Sequence, residues 1–150
     1  MIGPRFLEDL SVGETNTTSG VLVRATDIIE FAKNYDPQPM HVDQGVTAGV
    51  SSGGLIASGW HTAALVMRLL VDSQVLGSTP LLGLGVEDLR WPKPVRPGDT
   101  ISAVTEILSI RQSRSQQGYG IVRMRVKASN QQDEVVYGMT TSLWVPSRTR

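Results

Sequence analysis

Cysteine is absent from this 150-residue chain. That absence excludes a disulfide framework, a thiolate metal site, a cysteine nucleophile and a redox pair. It leaves a reducing compartment open, and a cytoplasmic protein is the expectation. Net charge is absent too, because 14 Lys and Arg offset 14 Asp and Glu. No field of one sign is available to gather phosphate backbones or an anionic lipid surface, so neither nucleic acid nor membrane is an expected partner. Long apolar runs are also missing. The most apolar stretch, residues 55–71, is broken by Ser58, Gly59, His61, Thr62 and Arg68, which makes it too polar and slightly too short for a bilayer span. The first ten residues carry Arg5, Glu8 and Asp9 where a secretory signal needs an unbroken apolar segment, so no leader is expected.

What remains suits one domain over residues 1–150, long enough to bury about 68–70% of its unfolded surface. Ile28, Phe31, Ala32 and Tyr35 recur at helical spacing, with Asp27 expected as the cap and Glu30 placed to reciprocate. Pro37 and Pro39 disfavour helix at Asp36 and Gln38, which predicts a stop near Tyr35 and a stiff, irregular loop over residues 36–43. A long helix is predicted over residues 55–72, apolar on most sides and therefore wrapped by the rest of the fold. Beyond it the period changes. In residues 119–129, Val122, Met124, Val126 and Ala128 alternate with Arg123, Arg125 and Lys127, the pattern of a strand with one buried face. Residues 84–91, 100–111 and 134–145 read as further strands, and residues 21–25 as a short early one. The predicted fold class is α+β, an antiparallel sheet wrapped around one long central helix.

With two histidines in the chain, each can be weighed singly. His41 lies five residues after Asp36 in the proline-stiffened loop. Two readings stand: a preorganised carboxylate and imidazole that handle protons together, or a helix C-cap beside a structural loop histidine. His61 is expected to be a satisfied core or interface residue. The spacing of His41, Asp43 and His61 matches no compact ligand motif, so no metal is expected. Gly49-Val50-Ser51-Ser52-Gly53 matches a nucleophile elbow in letters, but the chain is too short for the parallel sheet that motif requires. Gly83-Leu84-Gly85 lacks the third glycine of a dinucleotide fingerprint and leads into a strand. Gly53, Gly54 and Gly59 at the entry to the long helix fit either unpaired amides facing an oxyanion or close packing.

The segment from Phe31 through Tyr35-Asp36-Pro37-Gln38-Pro39-Met40-His41 to Asp43, followed by Gly53 through Ser58-Gly59-Trp60-His61-Thr62, resembles the MaoC-like dehydratase family. Its best known members are (R)-specific enoyl-CoA hydratases. Trp91-Pro92-Lys93-Pro94-Val95-Arg96-Pro97-Gly98-Asp99-Thr100 extends the likeness. The resemblance implies a hot-dog fold, a homodimer with active sites at the shared interface, and no cofactor beyond the CoA thioester that is the substrate. Asp36 and His41 reproduce the family's catalytic spacing, which favours the proton-handling reading. Gly59 falls eighteen residues beyond His41, where the family's oxyanion amide lies, with Ser58 and Trp60 beside the acyl group. The implied reaction is hydration of a trans-2-enoyl-CoA to an (R)-3-hydroxyacyl-CoA, or its reverse. Departures occur at Ser58, where His is frequent, at Ser52, where a bulky residue is frequent, and at Trp60 and His61, where Met and Leu are. Arg123, Arg125 and Lys127 fit a solvated strand face or contacts to CoA phosphates. A hot-dog thioesterase and a non-catalytic acyl-CoA-binding subunit are the competing readings.

Overall fold

A computed structural model of the protein describes residues 2–45 and 53–149. After a single 3-10 turn at Leu7–Asp9 come the short strands β1 (Thr15–Thr17) and β2 (Val21–Leu22), then helix α1 (Ala25–Tyr35), the single turn α2 (Pro39–Val42) and the long helix α3 (Gly59–Ser73). Strands β3 (Leu82–Arg90), β4 (Thr100–Gln112), β5 (Tyr119–Ser129) and β6 (Val135–Pro146) complete the order. All pairings are antiparallel, in the spatial order β1-β4-β5-β6-β3, with β2 also on β4. Among the described residues no helix is long and apolar enough to cross a membrane.

The sheet curls around α3. Val66 and Leu70 of the helix are fully buried in one cluster with Ile101 of β4, Met124 and Val126 of β5, and Val136 and Val145 of β6. The odd-numbered residues of β5 point outward, where Arg123 pairs with Glu87 at 3.4 Å and Arg125 with Glu106 at 3.6 Å. Exposed pairs of this kind mark a solvated face.

Four local expectations need correction. The helix expected to be capped by Asp27 begins two residues earlier, with Arg24 in extended geometry and no side-chain cap. Its start is fixed from outside: Val23 N–H donates to Asp99 O and Gly98 N–H to Val23 O, both at 2.8 Å. The predicted loop over 36–43 contains the turn α2, which uses Pro39 at its first helical positions, where a missing N–H costs nothing. The long helix starts at Gly59, not at residue 55. Leu55, Ile56 and Ala57 are buried in an extended segment, because Ile56 N–H bonds Met40 O at 3.0 Å and Ala57 N–H bonds Val95 O at 2.8 Å. Nor is α3 wrapped on most sides, since Trp60, Ala64, Met67 and Val71 are exposed. They lie towards the open end of the sheet, where Leu82, Leu84 and Val86 of β3 are each more than half exposed. The polar strand β1, Thr15–Thr17, had no counterpart among the predicted elements.

Candidate active site

Asp36 terminates α1. Its N–H closes on Ala32 O at 2.8 Å, and Pro37 blocks continuation. The backbone then folds back on itself: Gln38 N–H donates to Asp36 O at 2.8 Å and His41 N–H to Gln38 O at 2.9 Å. Five residues of sequence thereby bring the carboxylate and the imidazole face to face, with His41 Nε2 3.4 Å from Asp36 Oδ2.

Each partner is held by further contacts. His41 is 5% exposed, and its Nδ1 lies 2.8 Å from Ile56 O. A carbonyl oxygen only accepts, so Nδ1 carries a proton in this contact and Nε2 is the ring nitrogen turned towards Asp36. Ile56 is fixed in turn by its bond to Met40 O, immediately before His41. On Asp36, Oδ1 accepts from Gln38 Nε2 at 2.6 Å and Oδ2 accepts from Ser58 Oγ at 2.6 Å. The Ser58 hydroxyl, then the Gln38 amide, and to a lesser degree His41, hold the Asp36 carboxyl below its ordinary value, against the opposing effect of burial. Asp36 is therefore an anion at neutral pH.

These two side chains open onto a cleft of about 640 Å³ that Gly59, Trp60 and Trp91 also line. Ser58, expected beside the acyl group, lies outside that lining. It is wholly buried as the N-cap of α3, accepting from Trp60 N–H at 3.3 Å while donating to Asp36. Of the three glycines expected to offer helix-tip amides, Gly59 alone is in the first turn; Gly53 and Gly54 precede the helix by several residues. The first four residues of the elbow-like motif, Ser52 among them, lie outside the described residues. His61 is 6% exposed, stacks on Phe31 at 4.9 Å and is not among the residues lining the cleft.

Trp60 also walls a second cavity of about 470 Å³ between α3 and the sheet, lined by Met67, Leu70, Leu84, Val86 and Met139 among others. Tyr137 is the one titratable group in that lining, and burial pushes its phenol up, so the cavity carries no charge at neutral pH. Two contributors to the site had no assigned role in the sequence: Gln38, and Trp91, whose indole N–H donates to Gly59 O at 2.8 Å. Gln38 adjoins Asp36, and an amide two residues from a loop carboxylate was the available signal. Trp91 offered none beyond its place in the family-like segment.

The model of the MaoC-like domain family matches residues 10–130. The chain belongs to this family. A crystal structure of the MaoC-like dehydratase from Rhodospirillum rubrum superposes with a TM-score of 0.89 at 42% identity, over 97% of this chain and 99% of that one. The uncharacterized protein YdeM of Bacillus subtilis is 29% identical over 87% of this chain and 92% of its own length. Mesaconyl-CoA hydratase of Cereibacter sphaeroides is 34% identical over 59% of this chain, which spans only 27% of that protein. The R-hydratase PhaJ1 of Pseudomonas aeruginosa, at 24% identity and a TM-score of 0.77, covers 98% of this chain with 89% of its own, a likeness of fold. This MaoC-like chain thus has the hot-dog architecture, a sheet wrapped on a helix, that its sequence predicts, in a family that includes hydratases.

Proposed function

We propose that the protein is a hydratase that adds water across the double bond of a trans-2-enoyl-CoA, or removes it in reverse, with Asp36 and His41 as its catalytic pair. The observation that carries this reading is the juxtaposition of two acceptors. His41 Nε2 and Asp36 Oδ2 stand 3.4 Å apart and line one cleft, and with the ring in the Nδ1–H tautomer on Ile56 O, Nε2 acts as an acceptor in this reading. One water molecule satisfies both by donating one hydrogen to each.

In that position the water is a nucleophile with its base attached. His41 Nε2 removes a proton as the oxygen attacks the third carbon of the enoyl group, and the double-bond electrons move onto the thioester oxygen. Gly59 N–H stabilises that oxygen, a contribution of about 3 kcal/mol for a donor of this kind. The imidazolium formed beside anionic Asp36 is stabilised by it and returns the proton to the second carbon. The product is a 3-hydroxyacyl-CoA, of (R) configuration as the family likeness implies, and no cofactor enters the balance.

The uncharged cavity beyond Trp60 takes the acyl tail. An acyl chain ending in a carboxylate, as in mesaconyl-CoA, would leave an ion there without a partner, which costs several kcal/mol. The open apolar edge formed by Leu82, Leu84 and Val86 of β3, beside Trp60, Met67 and Val71 of α3, is covered by a second copy, giving a homodimer.

Crotonyl-CoA and mesaconyl-CoA offered to the purified protein test this reading, with loss of the conjugated thioester followed by absorbance and free thiol by a thiol-reactive dye. Crotonyl-CoA is hydrated without thiol release, mesaconyl-CoA reacts far more slowly, and Asp36→Asn and His41→Gln each lose a factor of about 10²–10⁴ while sedimenting as dimers. Thiol release, or wild-type turnover in either variant, rejects the assignment.

A further inference from the structure

Gly59 poses a question that its backbone does not answer. Its φ lies outside the left-handed region, so an alanine would adopt the same conformation without strain. The obstacle is a neighbour. A Cβ at Gly59 would stand 2.7 Å from Cε2 of Trp91 and 3.0 Å from Cδ2 and Nε1 of the same ring. The indole therefore lies flat against the glycine, while its N–H donates to the Gly59 carbonyl at 2.8 Å. One side chain holds this residue by face and by hydrogen bond together.

The ring is itself anchored. Trp91 directly follows β3 and precedes Pro92, so the sheet fixes its backbone on one side and a proline restricts it on the other. The indole of Trp60 packs edge-on against it at 5.2 Å and 81°, a favoured aromatic geometry. On the helix side, Ser58 O accepts from Thr62 N–H at 3.1 Å, which ties the peptide that carries the Gly59 amide into the first turn of α3. The amide proposed to receive negative charge is thus clamped between a helix turn and a ring mounted on the sheet. Such preorganised donors stabilise developing charge without reorienting during the reaction.

We propose that Trp91 is a positioning residue that fixes the Gly59 amide against the thioester oxygen. The inference rests on the hydratase reading given above. It does not make Trp91 a group that exchanges protons with substrate.

Trp91→Phe tests it, because phenylalanine keeps a smaller aromatic ring beside Gly59 and removes the N–H that holds the Gly59 carbonyl. The expected result is a roughly tenfold lower kcat on crotonyl-CoA, with KM and melting temperature essentially unchanged, as expected when a catalytic donor is slightly misplaced. The infrared carbonyl stretch of crotonyl-CoA labelled with ¹³C at its first carbon, bound to Asp36→Asn so that it persists, reads the amide directly. Adding Trp91→Phe to that variant moves the band back towards its position in water. Wild-type kcat in Trp91→Phe, an unmoved band, or parallel losses of kcat, KM and stability would each overturn the proposal. A wild-type protein inactive on every enoyl thioester would instead remove the hydratase reading, and the clamp with it.

Discussion

Removing one hydroxyl, Ser58→Ala, separates two jobs that the same atom performs. Ser58 Oγ caps α3 by accepting from Trp60 N–H at 3.3 Å, and it donates its proton to Asp36 Oδ2 at 2.6 Å. Losing a serine N-cap costs about 1 kcal/mol, and this part does not depend on pH. A hydrogen bond to a charged group contributes about 1.5–3 kcal/mol, and this part does depend on pH because it requires the carboxylate. At neutral pH the variant is therefore less stable by about 2.5–4 kcal/mol, which for a chain of this size lowers the melting temperature by roughly 5–15 °C. The direction with pH follows from the folded Asp36 carboxyl being held below its ordinary value, first by Ser58, then by Gln38 and His41. Stabilisation of this kind is fully present above the unfolded carboxyl's pKa of about 3.9 and is lost as pH falls through the lower folded value. Urea unfolding of both proteins from pH 7 to pH 3 at constant ionic strength should show the gap shrinking towards the cap's contribution alone. A gap that stays constant, or widens in acid, would refute the claim that Ser58 holds Asp36 as an anion.

Burial also lowers the pKa of His61, with Asp27 acting against it, and its Nδ1 has no hydrogen-bond partner among the described residues where the ring stacks on Phe31. The unfolded chain then takes up a proton first as pH falls through about 6.5, so wild-type stability declines over that window and down to the lower folded value. His61→Phe should flatten this slope in melts between pH 7.5 and pH 5, and an unchanged slope would assign it elsewhere. Gly77 has a φ of +60°, and a Cβ there would sit 2.0 Å from Gly3 O. Gly77→Ala should therefore break the Pro4 to Gly77 bridge and cost at least about 2 kcal/mol by urea unfolding, and a wild-type midpoint would show that the N-terminal segment contributes nothing.

The fold was legible wherever burial alternates with exposure at a fixed period. In β5 the outward Arg123, Arg125 and Lys127 and the inward Val122, Met124 and Val126 give the strand bounds directly from the sequence. It was not legible where a segment is apolar for reasons of tertiary pairing. Leu55, Ile56 and Ala57 continue the hydrophobic pattern of α3 without a break, yet their backbone is claimed by Met40 and Val95. No periodicity distinguishes a buried extended segment from another turn of buried helix. Asp27 looked like a cap because local chemistry allowed it, but the pairing of Val23 with Asp99 and Gly98 fixed the chain entering α1. The three residues of β1 carry no apolar alternation, being an edge strand on β4.

At the site the same division holds, with a consequence for chemistry. Asp36 and His41 are close in sequence and joined by one backbone turn, yet their spacing left a structural loop histidine open until the family resemblance favoured a proton-handling pair. The contacts that set their protonation and the geometry of Gly59 join distant segments: Ser58 to Asp36 across 22 residues, Trp91 to Gly59 across 32. Ser58 shows why residue type at an aligned position is a poor guide to role. A hydroxyl has one proton to donate, and here it goes to Asp36 Oδ2, leaving none for a substrate. Next to Gly59 this chain has a buried hydroxyl whose contact with the site runs through the Asp36 carboxylate. In the proposed reaction, His41 Nδ1 is committed to Ile56 O, so Nε2 is the ring nitrogen that meets the water beside the Asp36 carboxylate. On that proposal, the roles of base and stabilising anion depend on contacts between segments distant in sequence.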